Sequence, residues 1–177
     1  GATILIPVGT EENRLCEVAD KNNLVSGGAV LVYKKIYENS PFGDSGSYPE
    51  GTLDNLIKTT IFNSFPQTLR EKMISVTFAL EGSGSITRKV FALTYTMVGF
   101  GANNGTTEGK ALQRYNSNAN REKTFNGSAN RWWLSSRRNA TGSHCVYLRF
   151  CEVHEILRIC SIDTLLRFLI SIQFYHR

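Results

Sequence analysis

The sequence predicts an α+β fold in which two helices pack on a twisted antiparallel sheet, with a long loop-rich region over one side. Two helical segments lie between segments that alternate like β-strands. The 177 residues fit a single domain spanning residues 1–177, long enough to bury a core without disulfides. No apolar run is long enough to cross a bilayer, so we expect no membrane insertion.

Five segments have the composition or alternation of strands: residues 2–8, 28–37, 74–80, 89–98 and 166–174. A Gly-Gly turn precedes the second segment, and a Gly-Ser-Gly stretch joins the third to the fourth. The fifth alternates apolar and polar side chains, which predicts a closing strand. We expect this strand to pair with residues 2–8 and bring the chain ends together.

Two helices are predicted in the middle of the chain. The first begins after Thr52 as its cap, and its buried stripe follows the i, i+3, i+4 spacing of Leu53, Leu56, Ile57, Thr60 and Ile61. The second runs from Ser64 to about Met73, because Ser64-Phe65-Pro66-Gln67 has the pattern of a capping box with proline in the first turn. Leu69 and Met73 should face inward.

Residues 99–131 show no apolar periodicity, and a segment of this length inside a domain is usually functional or disordered. We expect it to be ordered and functional, with Leu112, Tyr115 and Phe125 as anchors. From Ser143 the composition changes, since every glycine and proline lies before that residue and all three histidines lie after it. Residues 143–177 therefore form a compositionally distinct tail.

The basic excess of the chain is local. Residues 107–139 contain two acidic residues, Glu108 and Glu122, and seven basic ones: Lys110, Arg114, Arg121, Lys123, Arg131, Arg137 and Arg138. Their difference of five equals the net charge of +5 of the whole chain. The basic residues alternate with Asn and Ser instead of forming a Lys/Arg block, which argues against a nucleic-acid partner.

Trp132 and Trp133 are the two tryptophans of the chain, and they are adjacent. In an extended strand, neighbouring side chains point to opposite faces. We expect one indole to anchor the core while the other, or the residues beside it, supports an outward surface. Tyr, Arg, Ser and Asn around the pair supply the rigid area and adaptable hydrogen bonding typical of recognition loops.

Several motifs, in order, resemble a bacterial and prophage domain family of unknown function that carries a Trp-Trp-Leu-Arg-Ser-Pro signature. They are LVYKKIYENSPF at 31–42, the helix pair at 53–73, VFALTYTMVGF at 90–100, NGSA at 126–129, and WWLSSR at 132–137. The resemblance covers roughly residues 30–139. Ser135 and Arg137 stand where the signature has Arg and Pro.

The resemblance implies a C-type-lectin-like fold of the formylglycine-generating-enzyme type. It also implies similarity to the variable proteins of diversity-generating retroelements, often found in phages, in which mutagenesis directed at adenines alters Asn-rich codons. A ligand- or receptor-binding function then follows, with the binding residues around and after the Trp-Trp pair.

The C-terminal part of the chain contains candidate metal-binding and catalytic residues. Cys145, Cys151, His154 and Cys160 have spacings that only partly match a zinc site, and they could also supply a Cys-His nucleophilic pair. Buried reduced thiols are the simpler expectation for the cysteines. We therefore expect no metal, no cofactor and no catalysis. The alternatives are an enzyme of the formylglycine-generating type, a thiol- or metal-dependent hydrolase, and a structural virion subunit.

The sequence-based hypothesis is a non-catalytic binding protein that recognises a protein or glycan on the surface of another cell. It would be located on a virion or a bacterial cell surface, and its oligomeric state is left open. The predicted ligand-binding residues are Tyr115, Asn118, Asn120, Arg121, Asn130, Arg131, Trp133, Arg137 and Asn139.

Overall fold

The computed structural model describes residues 2–8, 11–24, 26–35, 39–40, 48–139, 142–146, 166–168 and 171–175. Its strands, in chain order, are β1 (Thr3–Val8), β2 (Glu11–Lys21), β3 (Gly28–Tyr33), β4 (Asn39–Ser40), β5 (Val76–Leu80), β6 (Gly84–Arg88), β7 (Val90–Phe91), β8 (Lys123–Phe125), β9 (Ser128–Asn130), β10 (Trp132–Asn139), β11 (Gly142–Val146), β12 (Leu166–Phe168) and β13 (Ser171–Tyr175). Its helical elements are α1 (Thr52–Asn55), a π-helical segment (Leu56–Ile61), α2 (Phe62–Ser64), α3 (Gln67–Lys72), a 3-10 turn (Gln113–Tyr115) and α4 (Asn118–Arg121).

The fold is α+β, with few helices and small, mainly antiparallel sheets. The largest sheet has the order β1-β2-β3-β13-β7, and a second has the order β11-β10-β12-β4. The hairpins β5–β6 and β8–β9 form two further sheets. The pair β10–β12 is parallel, which departs from the antiparallel sheet that the sequence predicts. No helix in the described part of the chain is both long and apolar enough to span a membrane.

The terminal strand lies inside the largest sheet, where β13 pairs with β3 on one side and β7 on the other. The predicted pairing between residues 2–8 and the terminal strand is wrong. Instead β1 pairs with β2, from Thr3 opposite Glu17 to Val8 opposite Glu11. Because two residues separate β1 from β2 in the chain, this local pairing closes a much shorter loop than pairing with β13 would.

The first helix is continuous from α1 through the π-helical segment into α2. Leu53, Ile57 and Ile61 are fully buried, whereas Leu56 is half-buried and Thr60 is exposed. The predicted stripe is therefore narrower than expected. The wider π-helical turn keeps residues spaced by four on one face, which turns Thr60 outward.

Neither predicted helix cap forms. Gly51 is the N-cap residue of α1, and the buried Asp54 carboxylate accepts the Glu50 amide at 2.9 Å. Ser64 donates its hydroxyl to the Ile61 carbonyl at 2.6 Å, so it closes the first helix instead of opening the second. Pro66 is the N-cap residue of α3.

The predicted strand at residues 89–98 is wrong beyond its beginning, since only Val90–Phe91 is a strand. Residues 92–98 turn through the core, with the Ala92 amide bonded to the Tyr48 hydroxyl at 3.0 Å and the Val98 amide bonded to the Thr94 carbonyl at 3.1 Å. Leu93, Met97 and Val98 are fully buried there. An apolar run can therefore satisfy its backbone through turns and side chains as well as through a sheet.

Residues 99–131 are ordered, as expected. They contain the 3-10 turn, α4 and the β8–β9 hairpin. The hairpin loop is Asn126-Gly127, with φ of 49° and 79°. Positive φ at both positions is the geometry of the tight turn that matches the twist of the flanking strands. This segment runs beside the first residues of β10 and supplies most of the candidate site.

Candidate binding surface

Both indoles of the Trp-Trp pair lie in the core. Trp132 is 1% exposed and Trp133 is 3% exposed, and residues 132–136 are all buried. The expectation of an outward-facing indole is wrong, because five consecutive buried residues of a strand require cover on both faces. The Tyr115 ring lies 6.3 Å from the Trp132 ring, and the Trp132 Nε1 donates to the Arg121 carbonyl at 3.1 Å.

A group of charged side chains lies next to Tyr115, on the side of Trp132 that this ring contacts. The Glu17 cluster consists of Glu17, Arg114, Tyr115 and Lys123. Lys123 and Glu17 are both 3% exposed and form an ion pair, and Arg114 Nε contacts the second Glu17 oxygen at 2.9 Å. Lys123 Nζ also lies 5.4 Å from the centre of the Tyr115 ring. Burial lowers the pKa of Lys123, and the neighbouring Glu17 carboxylate opposes that shift.

Arg121 is 8% exposed and connects the core to the surface. Its Nε donates to the Val98 carbonyl at 2.5 Å, and its Nη1 donates to the Asn118 side-chain oxygen at 2.7 Å. The guanidinium lies 4.6 Å from the centre of the Phe100 ring, a distance typical of cation–π contact. Burial lowers the pKa of Arg121. The side chain therefore holds α4 and Phe100 together.

Amide groups collect on the surface above these buried cations. We call this surface the asparagine face and define it as Phe100, Asn116, Asn118, Asn120, Asn130 and Arg131. Phe100, Asn116 and Asn118 are exposed, and the other three are half-buried. Arg114 donates to the Asn120 side-chain oxygen, and Asn120 donates to the Asn116 side-chain oxygen at 2.9 Å. Asn130 lies opposite Lys123 in the β8–β9 hairpin.

Four of the predicted contact residues have exposed or half-buried side chains. Asn118, Asn120, Asn130 and Arg131 all belong to the asparagine face. Tyr115, Arg121 and Trp133 are buried beneath the surface, so we correct their role from contact to support. Lys123 is likewise part of the buried support, and the half-buried Arg114 joins Glu17 to Asn120.

Arg137 lies elsewhere. It is five residues along β10 from Trp132, or roughly 17 Å in an extended strand. Its carbonyl accepts the Asn103 side-chain amide at 2.7 Å, and its guanidinium lies beside Gly82. It therefore does not adjoin the asparagine face. The side chain of Asn139 lies outside the described residues.

Sequence reasoning missed a buried network around Glu108. This fully buried carboxylate accepts the Glu81 amide at 2.9 Å, the Asn103 side-chain amide at 3.2 Å and the Ser136 hydroxyl. The Ser136 oxygen in turn accepts the Tyr95 amide at 2.6 Å. The signal was present, because Glu108 is the one charged residue in the otherwise neutral stretch 99–109. The network fixes this stretch against β10.

The polar side chains described above form hydrogen bonds and ion pairs that stabilise the fold. Within the described ranges, no set of three or more His, Cys, Asp or Glu side chains could hold a metal ion. Cys16 is a buried free thiol, and burial raises its pKa to about 12, so it stays protonated at neutral pH. The predicted zinc and nucleophile candidates, Cys145, Cys151, Cys160 and His154, lie outside the side chains that the structure describes.

Comparison with known proteins gives one match. Residues 27–165 match the family described as a domain of unknown function (DUF6273). No curated protein and no solved structure matches the chain. The match begins before β3 and includes the helices, the asparagine face and β10.

Proposed function

Because the chain belongs to the family described as a domain of unknown function (DUF6273), we propose a function from its own surface: it is a non-catalytic module that binds a ligand or receptor through the asparagine face. The observation that carries this proposal is the fixed position of the surface amides. Asn118 and Asn120 are each hydrogen-bonded to an arginine whose remaining contacts anchor it in the protein. Fixed polar groups lose less conformational entropy on binding, which favours affinity.

The chemistry of the face points to the class of partner. Side-chain amides both donate and accept hydrogen bonds, and Phe100 adds an apolar surface that is 38% exposed. The cations beneath the face are directed at Glu17, at carbonyls and at amide oxygens. A surface of this kind suits a protein or glycan, whereas a phosphate backbone is bound by exposed lysine and arginine.

The finer proposals rest on the sequence resemblance. We propose that the fold is C-type-lectin-like, of the formylglycine-generating-enzyme type, and that the chain is a variable protein of a phage or prophage retroelement. It would then be located on a virion or a bacterial cell surface. Asparagine codons are rich in adenine, and Asn116, Asn118, Asn120 and Asn130 all belong to the asparagine face.

Sequencing the same locus from several isolates tests this finer proposal. We expect substitutions at residues 116, 118, 120, 130 and 131. The buried supports should be spared, because changing them would disturb the framework: Tyr115, Arg121, Lys123, Trp132 and Trp133. Identical residues across the asparagine face in all isolates would contradict diversification. Substitutions spread equally over buried and exposed positions would contradict it as well.

Binding itself is tested on intact bacterial cells and on an array of bacterial surface polysaccharides, using the labelled full-length chain. The double variant Asn118→Ala, Asn120→Ala should weaken binding by about tenfold or more, because truncating residues at the centre of an interface costs more than about 1 kcal/mol each. Gln67→Ala is the matched control, since Gln67 is an exposed amide on α3. Equal binding by the double variant and the control would exclude the asparagine face as the contact surface.

A further inference from the structure

A shallow groove of about 330 Å³ lies between the first helix and the segment β6–β7. We call it the basic groove. Its cationic lining residues are Lys58, Arg88 and Lys89, and the Phe62 ring and the buried Val90 supply apolar surface. Pockets for small ligands begin at about this volume and combine apolar walls with a few polar groups. None of its residues belongs to the asparagine face.

The cations of the groove differ in how they are neutralised. Arg88 is bound to the buried Asp54 carboxylate at 2.6 Å, so its charge is matched within the protein. Lys58 pairs with Glu50, whose side chain is 70% exposed. Exposed ion pairs of this kind contribute little and exchange readily with other partners. Lys58 can therefore turn to a ligand at little cost.

Lys89 has no carboxylate partner in the described part of the chain. Its Nζ donates to the Arg70 carbonyl at 3.3 Å and lies 5.9 Å from the centre of the Phe62 ring. The Arg70 guanidinium lies 5.6 Å from the same ring centre, and its Nη1 donates to the neutral side chain of Asn63. Among the described residues, these two positive charges are thus matched by neutral oxygens and by the ring face.

The balance of charge around the groove is positive. In the described part of the chain, Lys58 and Arg88 pair with the carboxylates of Glu50 and Asp54, whereas Lys89 and the neighbouring Arg70 contact neutral oxygens. The exposed Thr87 and Ser75 add hydroxyl groups to the same lining. A half-buried lysine strengthens its electrostatic interaction with an anion, because less water screens the pair.

We propose that the basic groove binds a small organic anion whose phosphate or carboxylate group is held by Lys89 and Lys58 and whose apolar part packs on Phe62 and Val90. Both headgroups present oxygens that accept charge-assisted hydrogen bonds from ammonium groups. The Phe62 ring and Val90 should favour a ligand with an aromatic or aliphatic group over an inorganic ion, because they provide apolar contacts for that group.

The experiment titrates the full-length ¹⁵N-labelled chain with phenyl phosphate, benzoate, inorganic phosphate and phenol, and follows amide shifts by NMR. Phenyl phosphate or benzoate should shift the amides of Phe62, Thr87, Lys89 and Val90 and reach saturation. The better of the two identifies the headgroup. Inorganic phosphate should bind about tenfold more weakly, because it lacks the apolar contact. Phenol should not saturate, because it lacks the charge.

Variants separate the two contributions. Lys89→Gln should weaken binding by about fivefold or more, whereas Lys35→Gln, which removes an exposed lysine outside the groove, should change it by less than about twofold. Phe62→Ala, which removes the ring, should reduce the affinity for phenyl phosphate toward that for inorganic phosphate. The proposal is overturned if Lys89→Gln and Lys35→Gln behave alike, if phenol binds as tightly as the anions, or if neither organic anion saturates below about 10 mM.

Discussion

The Glu17 cluster and the basic groove contain the same kinds of side chain but treat positive charge differently. In the cluster, Lys123 and Glu17 are both 3% exposed and neutralise each other, with Arg114 on the same carboxylate. In the groove, Glu50 is 70% exposed and Lys89 has no carboxylate partner among the residues described. The exposure of the paired carboxylate therefore decides whether a cation serves the framework or is available to a ligand, since the side chains of Arg114 and Lys58 are both 28% exposed whereas those of Glu17 and Glu50 are 4% and 70% exposed.

The asparagine face and the basic groove also differ in their chemistry. Above the cluster, the arginines hold amide oxygens, and the exposed groups are neutral amides with one aromatic ring. In the groove, three cationic side chains form part of the lining. The basic excess that the sequence places at residues 107–139 is thus partly internal, whereas the groove lies outside that window.

The largest expected effect comes from removing the shared carboxylate. Glu17→Gln leaves Lys123 buried without a counter-charge, so the free energy of unfolding should fall by about 3–5 kcal/mol. Glu50→Gln also removes a carboxylate with two cationic partners, but in solvent, and should cost less than about 1 kcal/mol. Urea denaturation of both variants at neutral pH measures the difference.

A second variant distinguishes the buried charge from general damage to β2. Glu17→Gln combined with Lys123→Met removes both members of the pair and should recover part of the lost stability. Similar costs for Glu17→Gln and Glu50→Gln would contradict the comparison, since burial would then make no difference.

The sequence predicts part of the fold, because composition and periodicity indicate strands and buried helix faces. The strands at Thr3–Val8 and Gly28–Tyr33 follow from β-rich composition, Val76–Leu80 follows from alternation, and the helix stripe of Leu53, Ile57 and Ile61 follows from helical spacing. Strand β6 was missed because two glycines and four polar residues surround its single buried side chain, Ile86, at positions 82–88. The β8–β9 hairpin was missed although Asn126-Gly127 is a strong signal for its turn.

The candidate site was predicted only in part. Alternation along β10 places Trp132 and Trp133 on opposite faces, but it cannot tell how many layers cover each face, and both faces are covered. The pairing of Lys123 with Glu17 spans 106 positions, so no local pattern reveals it. If the partner of a lysine or arginine is unknown, the sequence does not show whether that side chain is buried or exposed.

The support of the asparagine face can be tested without changing a charge. Gly99 and Gly101 have nearly the same backbone conformation, with φ of 84° and 90°. A Cβ at Gly99 would lie 2.7 Å from the Tyr115 carbonyl oxygen and 2.8 Å from Arg121 Nη2, whereas a Cβ at Gly101 would meet nothing within 4 Å. Gly101→Ala should therefore cost only the strain of a positive φ, about 1 kcal/mol.

Gly99→Ala should cost about 1–3 kcal/mol more, because a backbone oxygen of the 3-10 turn must move. Binding through the asparagine face should fall with it, since Arg121 and Asn118 are displaced together. Thermal unfolding and cell binding of the two variants provide the measurement. Equal effects of Gly99→Ala and Gly101→Ala on both would show that residues 99 and 115–121 do not support one another.

The last predicted effect is an alkaline response at Cys16 in β2. Burial raises the pKa of Cys16 from 9.0 to about 12, with a smaller contribution from Glu17. A raised pKa in the folded state means that the stabilising contribution is complete below pH 9 and is lost as the pH rises toward about 12. By about pH 10.5 the loss should reach about 2 kcal/mol, because each pH unit contributes 1.36 kcal/mol.

Wild type and Cys16→Ala are compared by urea denaturation under reducing conditions, so that the titration of groups common to both proteins cancels in the difference. The alanine variant has a constant deficit from lost packing, and only the pH dependence of the difference reports the thiol. If that difference stays flat between pH 8 and about pH 10.5, water reaches Cys16 in the folded chain, and the core on the Cys16 face of β2 is not dry.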